Sequence, residues 1–182
     1  MMIRKILLLP LVLPAMLLAS VWELGAGGGM VVFDRQSSGG YLESGDESFA
    51  RFWVRGGYQL TGRSDQWAVA LSSDKRIDEL DLIYNLMLHP LEPYAPFGAL
   101  PYGKLALGIG NTHADTGTLT HLSGAAGIGL LGRSNQTVRI RFELEYRMRE
   151  GQLERSGEGR HEDPVSWRDS ELNFLLGFGL IF

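Results

Sequence analysis

Four groups of residues in this chain are of types that do chemistry. His121-Leu122-Ser123 sets an imidazole and a hydroxyl two residues apart. On an extended strand both would fall on one face, where a base can take a proton from a nucleophile. Glu143 and Glu145 have the same spacing, and paired carboxylates are the usual apparatus of acid–base work. His161-Glu162-Asp163, with His113 and Asp115, offers nitrogen and oxygen donors to a divalent cation. Gly25-Ala26-Gly27-Gly28-Gly29 has the composition of a phosphate-cradling loop.

The elements around these groups decide what they can do. The glycine run leads into Met30-Val31-Val32-Phe33 with no helical pattern. The helix N-terminus that would hold a phosphate is therefore missing, and the glycines read as residues that make room. Elsewhere the governing pattern is period-two alternation, the mark of strands with one apolar face. It is clearest from 138 to 149. Val138, Ile140, Phe142, Leu144, Tyr146 and Met148 form one row; Arg139, Arg141, Glu143, Glu145, Arg147 and Arg149 form the other. The final residues repeat it, with Phe174, Leu176, Phe178, Leu180 and Phe182 opposite Gly177, Gly179 and Ile181. Alternation predicts eight strands, at roughly 21–33, 48–61, 66–73, 77–89, 102–112, 118–131, 136–149 and 169–182.

The chain has 182 residues, one domain's worth, with a net charge of −4 and no cysteine. That excludes thiolate metal sites, disulfides and a lipid-bearing N-terminal cysteine, and it gives no basic surface for nucleic acid. Arg4-Lys5, an apolar run from Ile6 to Leu18 broken by Pro10 and Pro14, and small Ala19-Ser20 predict a signal peptide over 1–20. Residues 21–182 are then the domain.

Alternation alone does not say which face is inside. A soluble lipocalin-like barrel would turn the apolar rows inward. Three features predict the inverse, apolar rows to lipid and charges to the lumen. Connections after the first and seventh strands (34–47, 150–168) are long and polar, while those after the second and sixth (62–65, 132–135) are short; the link 90–101 breaks this pattern. Trp22, Tyr58, Trp67, Tyr102 and Phe182 gather at one interface, and Tyr146 joins them as an outward interface aromatic. The inward charges nearly balance: Arg51, Arg55, Lys104, Arg139, Arg141, Arg147 and Arg149 against Glu23, Glu79, Asp81, Glu143, Glu145 and Glu171. A buried ion-pair network needs such balance, because each unpaired buried charge costs several kcal/mol.

The Phe174–Phe182 alternation, Gly56-Gly57-Tyr58, Pro101-Tyr102-Gly103 leading to Gly108-Ile109-Gly110, and Gly124-Ala125-Ala126-Gly127-Ile128-Gly129 resemble the small OmpA/OmpX-type eight-stranded outer-membrane barrel family. The resemblance implies an all-β, eight-stranded antiparallel transmembrane barrel in the bacterial outer membrane. It further implies an assembly signal in Phe174, Leu176, Phe178, Leu180 and Phe182, read by the barrel-assembly machinery after periplasmic chaperones. The expected partners are outer-membrane lipid and lipopolysaccharide, with the barrel a monomer and no cofactor or metal required. The His-x-Ser pair is similar to that of outer-membrane lipid A deacylases, which add a glutamate further along; here the position about twelve residues on is Arg133. Parity also turns His121 and Ser123 into the lumen, which favours a structural histidine. The expected role is thus non-catalytic, in membrane integrity or surface interaction through the external loops. A lipid A-modifying enzyme, a narrow ion-conducting barrel and a soluble periplasmic lipid-binding barrel are the alternatives.

Overall fold

The structure is a computed structural model and describes residues 20–37, 46–60, 64–87, 99–114, 117–133, 137–153 and 165–182. It contains eight strands: β1 (Ser20–Ser37), β2 (Asp46–Leu60), β3 (Asp65–Ser73), β4 (Ile77–Met87), β5 (Leu100–Ala114), β6 (Gly117–Arg133), β7 (Val138–Leu153) and β8 (Val165–Ile181). Each pairs antiparallel with its neighbours in sequence, and β8 returns to pair with β1, closing the barrel.

The expected strands are all present, and several run further than alternation predicts. β1 continues to Ser37, β7 to Leu153, and β8 begins at Val165. β5 and β6 also lengthen, so His113 is a strand residue opposite Thr118 and not a loop residue. The hydrophobic pattern ends where the lipid-facing band ends, but strand pairing continues beyond it. Residues 1–19, Asp115 and His161-Glu162-Asp163 lie outside the described residues.

The pairing register fixes the barrel's shape. Starting at Trp22, successive partners are Tyr58, Trp67, Tyr84, Leu105, Ala126, Tyr146 and Leu172, and the row returns to β1 at Val32. One circuit therefore advances from position 22 to position 32. With ordinary strand spacings this stagger tilts the strands about 40° to the barrel axis. The outward stretch from Trp22 to Val32 is then about 25 Å tall, the height of an outer-membrane apolar band.

The band ends cleanly. With the end that holds Trp22 labelled periplasmic and the opposite end external, the outward row on the external side passes from Ala50 to Ser48, Leu71 to Ser73, Leu80 to Asp78, Ile109 to Asn111, Leu122 to Thr120 and Met148 to Glu150, every one of these polar residues exposed. Within the band, Leu107 and Phe52 are 70% and 68% exposed, while Arg139, Arg141, Arg147 and Arg149 are nearly wholly buried. The apolar faces point out and the charged faces point in.

Packing inside follows from side-chain size. β7 contributes long Arg and Glu side chains, and the opposing wall is small, with Ala68, Ala70, Ile83, Ala106 and Ala125 forming a buried apolar cluster. The inward glycines of β8, beside β7, make room for different side chains. Gly179 makes room for a neighbour's carboxylate: a Cβ there would sit 2.8 Å from Glu23 Oε1. Gly177 serves a different side chain. The Trp53 indole lies against Gly27 and Gly177 across the seam of β2, β1 and β8, where a Cβ on Gly177 would overlap its ring.

A β-branched residue at Gly177 should therefore hinder closure by overpacking, at a cost of about 1–3 kcal/mol. Gly177→Val should reduce the fraction of protein that migrates as a compact species on unboiled gels, and adding Trp53→Ala should recover part of it. A full compact band for Gly177→Val alone would contradict this packing.

Candidate functional site in the barrel lumen

Alternation along β7 places six charged side chains in a column facing the lumen, and their partners come from every side of the barrel. At the periplasmic end Glu23 of β1 accepts from Arg139 at 2.8 Å and from Arg141 Nε and Nη2 at 2.8 and 2.6 Å. Gln66 of β3 joins this cluster. Its Nε2 donates to Glu23 at 3.0 Å, and its Oε1 accepts from Arg55, Arg141 and Asn85.

The middle of the lumen centres on Glu143. It accepts from Lys104 Nζ at 2.6 Å, the Tyr102 hydroxyl at 2.5 Å and Arg55 at 3.3 Å. Lys104 Nζ is also 2.6 Å from Glu145. Glu145 accepts from Arg147 Nε at 2.9 Å and from Asn173 at 3.0 Å.

Towards the external end Arg147 holds Asp81 with two nitrogens, at 2.7 and 3.0 Å. Arg149 donates to Glu79 at 3.1 and 2.6 Å and to Glu171 at 2.9 Å. Arg51 bonds Glu171 and, from Nε and Nη2, Asp74 at 2.8 and 2.6 Å. Asp74 belongs to the β3–β4 turn, and its other oxygen accepts from the backbone of Arg76 and Ile77. The turn is thereby tied into the lumen.

The thirteen charged residues expected to face inward, seven basic and six acidic, are all buried in the lumen. Asp169, buried on β8 opposite Arg149, completes the balance. Among the described residues Arg51, Arg55, Lys104, Arg139, Arg141, Arg147 and Arg149 face the strand carboxylates Glu23, Glu79, Asp81, Glu143, Glu145, Asp169 and Glu171, seven against seven, and Asp74 of the turn adds an eighth carboxylate against Arg51. Gln66, Asn85, Asn173 and Trp53 are also lumen residues. Their signal in the sequence is parity with the charged row.

Tyr102 corrects the expected aromatic girdle. It is 1% exposed, bonded to Glu143, with the Arg141 guanidinium 5.5 Å from its ring centre. It lies two residues before inward Lys104, so parity turns it inward, and a Cβ on Gly129 would strike its ring. Trp22, Tyr58 and Trp67 do lie outward along one partner row. Tyr84 continues that row, its ring 4.9 Å from Trp67. Phe182 exchanges backbone bonds with Trp22. Tyr146 faces outward nearer the external side, one outward position from Met148 and two from Glu150. Phe174, Leu176, Phe178, Leu180 and Phe182 all face outward.

The residues with catalytic potential are in this lumen too. Ser123 Oγ donates to Glu79 Oε1, and His121 Nε2 lies 3.8 Å from that same oxygen. His121 Nδ1 shares a 3.0 Å hydrogen bond with Thr112. Glu79 thus stands between serine and histidine and is itself paired with Arg147 and Arg149. A nucleophile needs its base as the acceptor of its own proton; here the acceptor is an arginine-bound carboxylate. Glu143 and Glu145 are likewise fully engaged. No cluster of three or more His, Cys, Asp or Glu side chains able to hold a metal ion occurs among the described residues.

In structure the barrel is similar to the N-terminal β-barrel domain of Pseudomonas aeruginosa OprF, with a TM-score of 0.52 and 15% identity over 90% of this chain and 98% of that one. The chain has the fold of the small eight-stranded outer-membrane barrels. This barrel's apolar exterior, charged interior and band height fit that location. Neisserial surface protein A (TM-score 0.47, 14% identity, 90% and 96% covered) and the outer membrane protein OprG of Pseudomonas aeruginosa (0.44, 14%, 90% and 96%) are further similar structures. No family model and no curated protein sequence matches the chain.

Removing one partner from such a network leaves buried charge uncompensated. Glu143→Ala should destabilise the barrel by about 3–5 kcal/mol in a urea titration from lipid vesicles. Glu150→Ala, at an exposed site beyond the band, should shift stability by less than about 0.5 kcal/mol. Equal, small effects would contradict the lumen network.

Proposed function

We propose that the protein is a closed, non-catalytic barrel of the bacterial outer membrane that acts through its lipid-facing wall and external loops, in membrane integrity or surface interaction. The observation that carries this reading is how little space the lumen leaves. The cavity bounded by Trp53, Arg55, Lys104 and Glu145 has a volume of about 30 Å³. That is room for about one or two water molecules. An ion crossing the barrel would have to break several desolvated pairs in turn, each in low dielectric. The alternative of a narrow conducting barrel is therefore the weaker one.

The enzyme alternative is disfavoured by the burial of Ser123 and His121, 8% and 1% exposed, inside a barrel whose lipid substrate would lie outside. A soluble lipid-binding barrel is disfavoured by an exterior with a continuous apolar belt. The partners of this reading are phospholipid and lipopolysaccharide around the band. During biogenesis they are periplasmic chaperones and the assembly machinery, which would engage Phe174 to Phe182. The barrel needs no cofactor and works as a monomer.

Purified barrel in planar bilayers should give no steady single-channel currents; sustained currents would overturn the closed reading. Expression should leave lipid A acyl content unchanged. Loss of an acyl chain that Ser123→Ala abolishes would establish the enzyme instead.

A further inference from the structure

The lipid-facing wall is uneven where outward residues are glycine, at Gly56, Gly103 and Gly124, and the place at Gly56 lies against the aromatic residues Trp22, Tyr58 and Trp67. Gly56 faces outward on β2 between Val54 and Tyr58, and a Cβ there would meet nothing within 4 Å. Its register partners on either side are Leu24 and Val69, 53% and 49% exposed. Two projecting side chains with a glycine between them make a furrow along β2. Trp22, Tyr58 and Trp67 gather at its lower end, the Trp22 and Tyr58 rings 5.7 Å apart and tilted by 35°. The concavity has a volume of about 470 Å³, within the range of small-ligand sites, roughly 300–1,000 Å³.

From this geometry we infer that the furrow is a seat for one phospholipid of the periplasmic leaflet. One acyl chain lies over Gly56 between Leu24 and Val69. The glycerol ester and phosphate region lies at the tryptophans and tyrosine. The chemistry of each end selects this occupant. The furrow walls are aliphatic and suit a saturated chain. Indole N–H and phenol O–H groups are the donors that sit at the headgroup level of a bilayer. The furrow continues the lipid-facing band without interruption, and its aromatic end lies beside the backbone pairing of Trp22 with Phe182. With β1 starting on the periplasmic side, as the outer-membrane reading has it, the seat belongs to the inner, phospholipid leaflet and not to lipopolysaccharide.

The inference rests on the outer-membrane reading, and one experiment separates the two. Full-length barrel is folded into phosphatidylethanolamine vesicles, recovered, and transferred to mild detergent, and lipid retained per barrel is counted by native mass spectrometry. Gly56→Leu fills the furrow from a Cβ that meets nothing within 4 Å. Gly124→Leu makes the same change at another outward glycine with open space, on β6. Wild type and Gly124→Leu should each keep one phosphatidylethanolamine, and Gly56→Leu should keep roughly tenfold less. Equal retention by Gly56→Leu and wild type, or none by wild type, would overturn the seat. Failure of all three proteins to enter vesicles would overturn the membrane reading itself.

Discussion

A barrel of eight strands closed on itself leaves too little water to solvate its arginines, so every charge inside it must find its opposite. This constraint organises the molecule. Glu23 on β1 is met by Arg139 and Arg141 on β7, Asp81 on β4 by Arg147, and Glu171 on β8 by Arg51 on β2. These pairs cross the lumen and join walls far apart in the chain. Amide residues fill the positions that carboxylates leave unsatisfied. Gln66 accepts from two arginines and an asparagine while donating to Glu23. Such networks are high-stakes, because a half-paired one is worse than an apolar core.

Size is the second constraint, and it follows from the first. Long charged side chains on β7 need a wall of small residues to reach across, and β3, β5 and β6 supply alanine and glycine. Trp53 is the exception that fills the seam, and it fits only because Gly27 and Gly177 stand beside it. The lumen is consequently packed with side chains. Its polar groups bond one another.

Much of this is written in the chain, though unevenly. β7 was legible because apolar and charged residues alternate for twelve positions without a break, which sets both strand and face. The number of strands and the thirteen inward charged residues followed from the same rule. Tyr102 was assigned outward on residue type, since aromatics gather at membrane interfaces; its parity with Lys104 pointed inward and was the stronger signal. Trp53 and Asp169 were missed for different reasons. A lone aromatic in an inward row has no pattern of its own, and Asp169 stands where the apolar rhythm has ended but pairing has not. Which carboxylate meets which arginine depends on the stagger of the barrel, from Trp22 round to Val32, and no local pattern encodes that.

The central claim is that the apolar faces meet lipid and the charged faces meet one another. The chain has no cysteine, so single cysteines can carry nitroxide probes at chosen positions. Probes at Gly124, Ala126 and Ile128, the outward row of β6, test it most directly by paramagnetic accessibility in vesicles. High accessibility to oxygen with low accessibility to a water-soluble nickel chelate is the predicted result at all three. Accessibility to the nickel chelate at these positions would mean that the apolar row faces water or a polar interior, and would contradict the account.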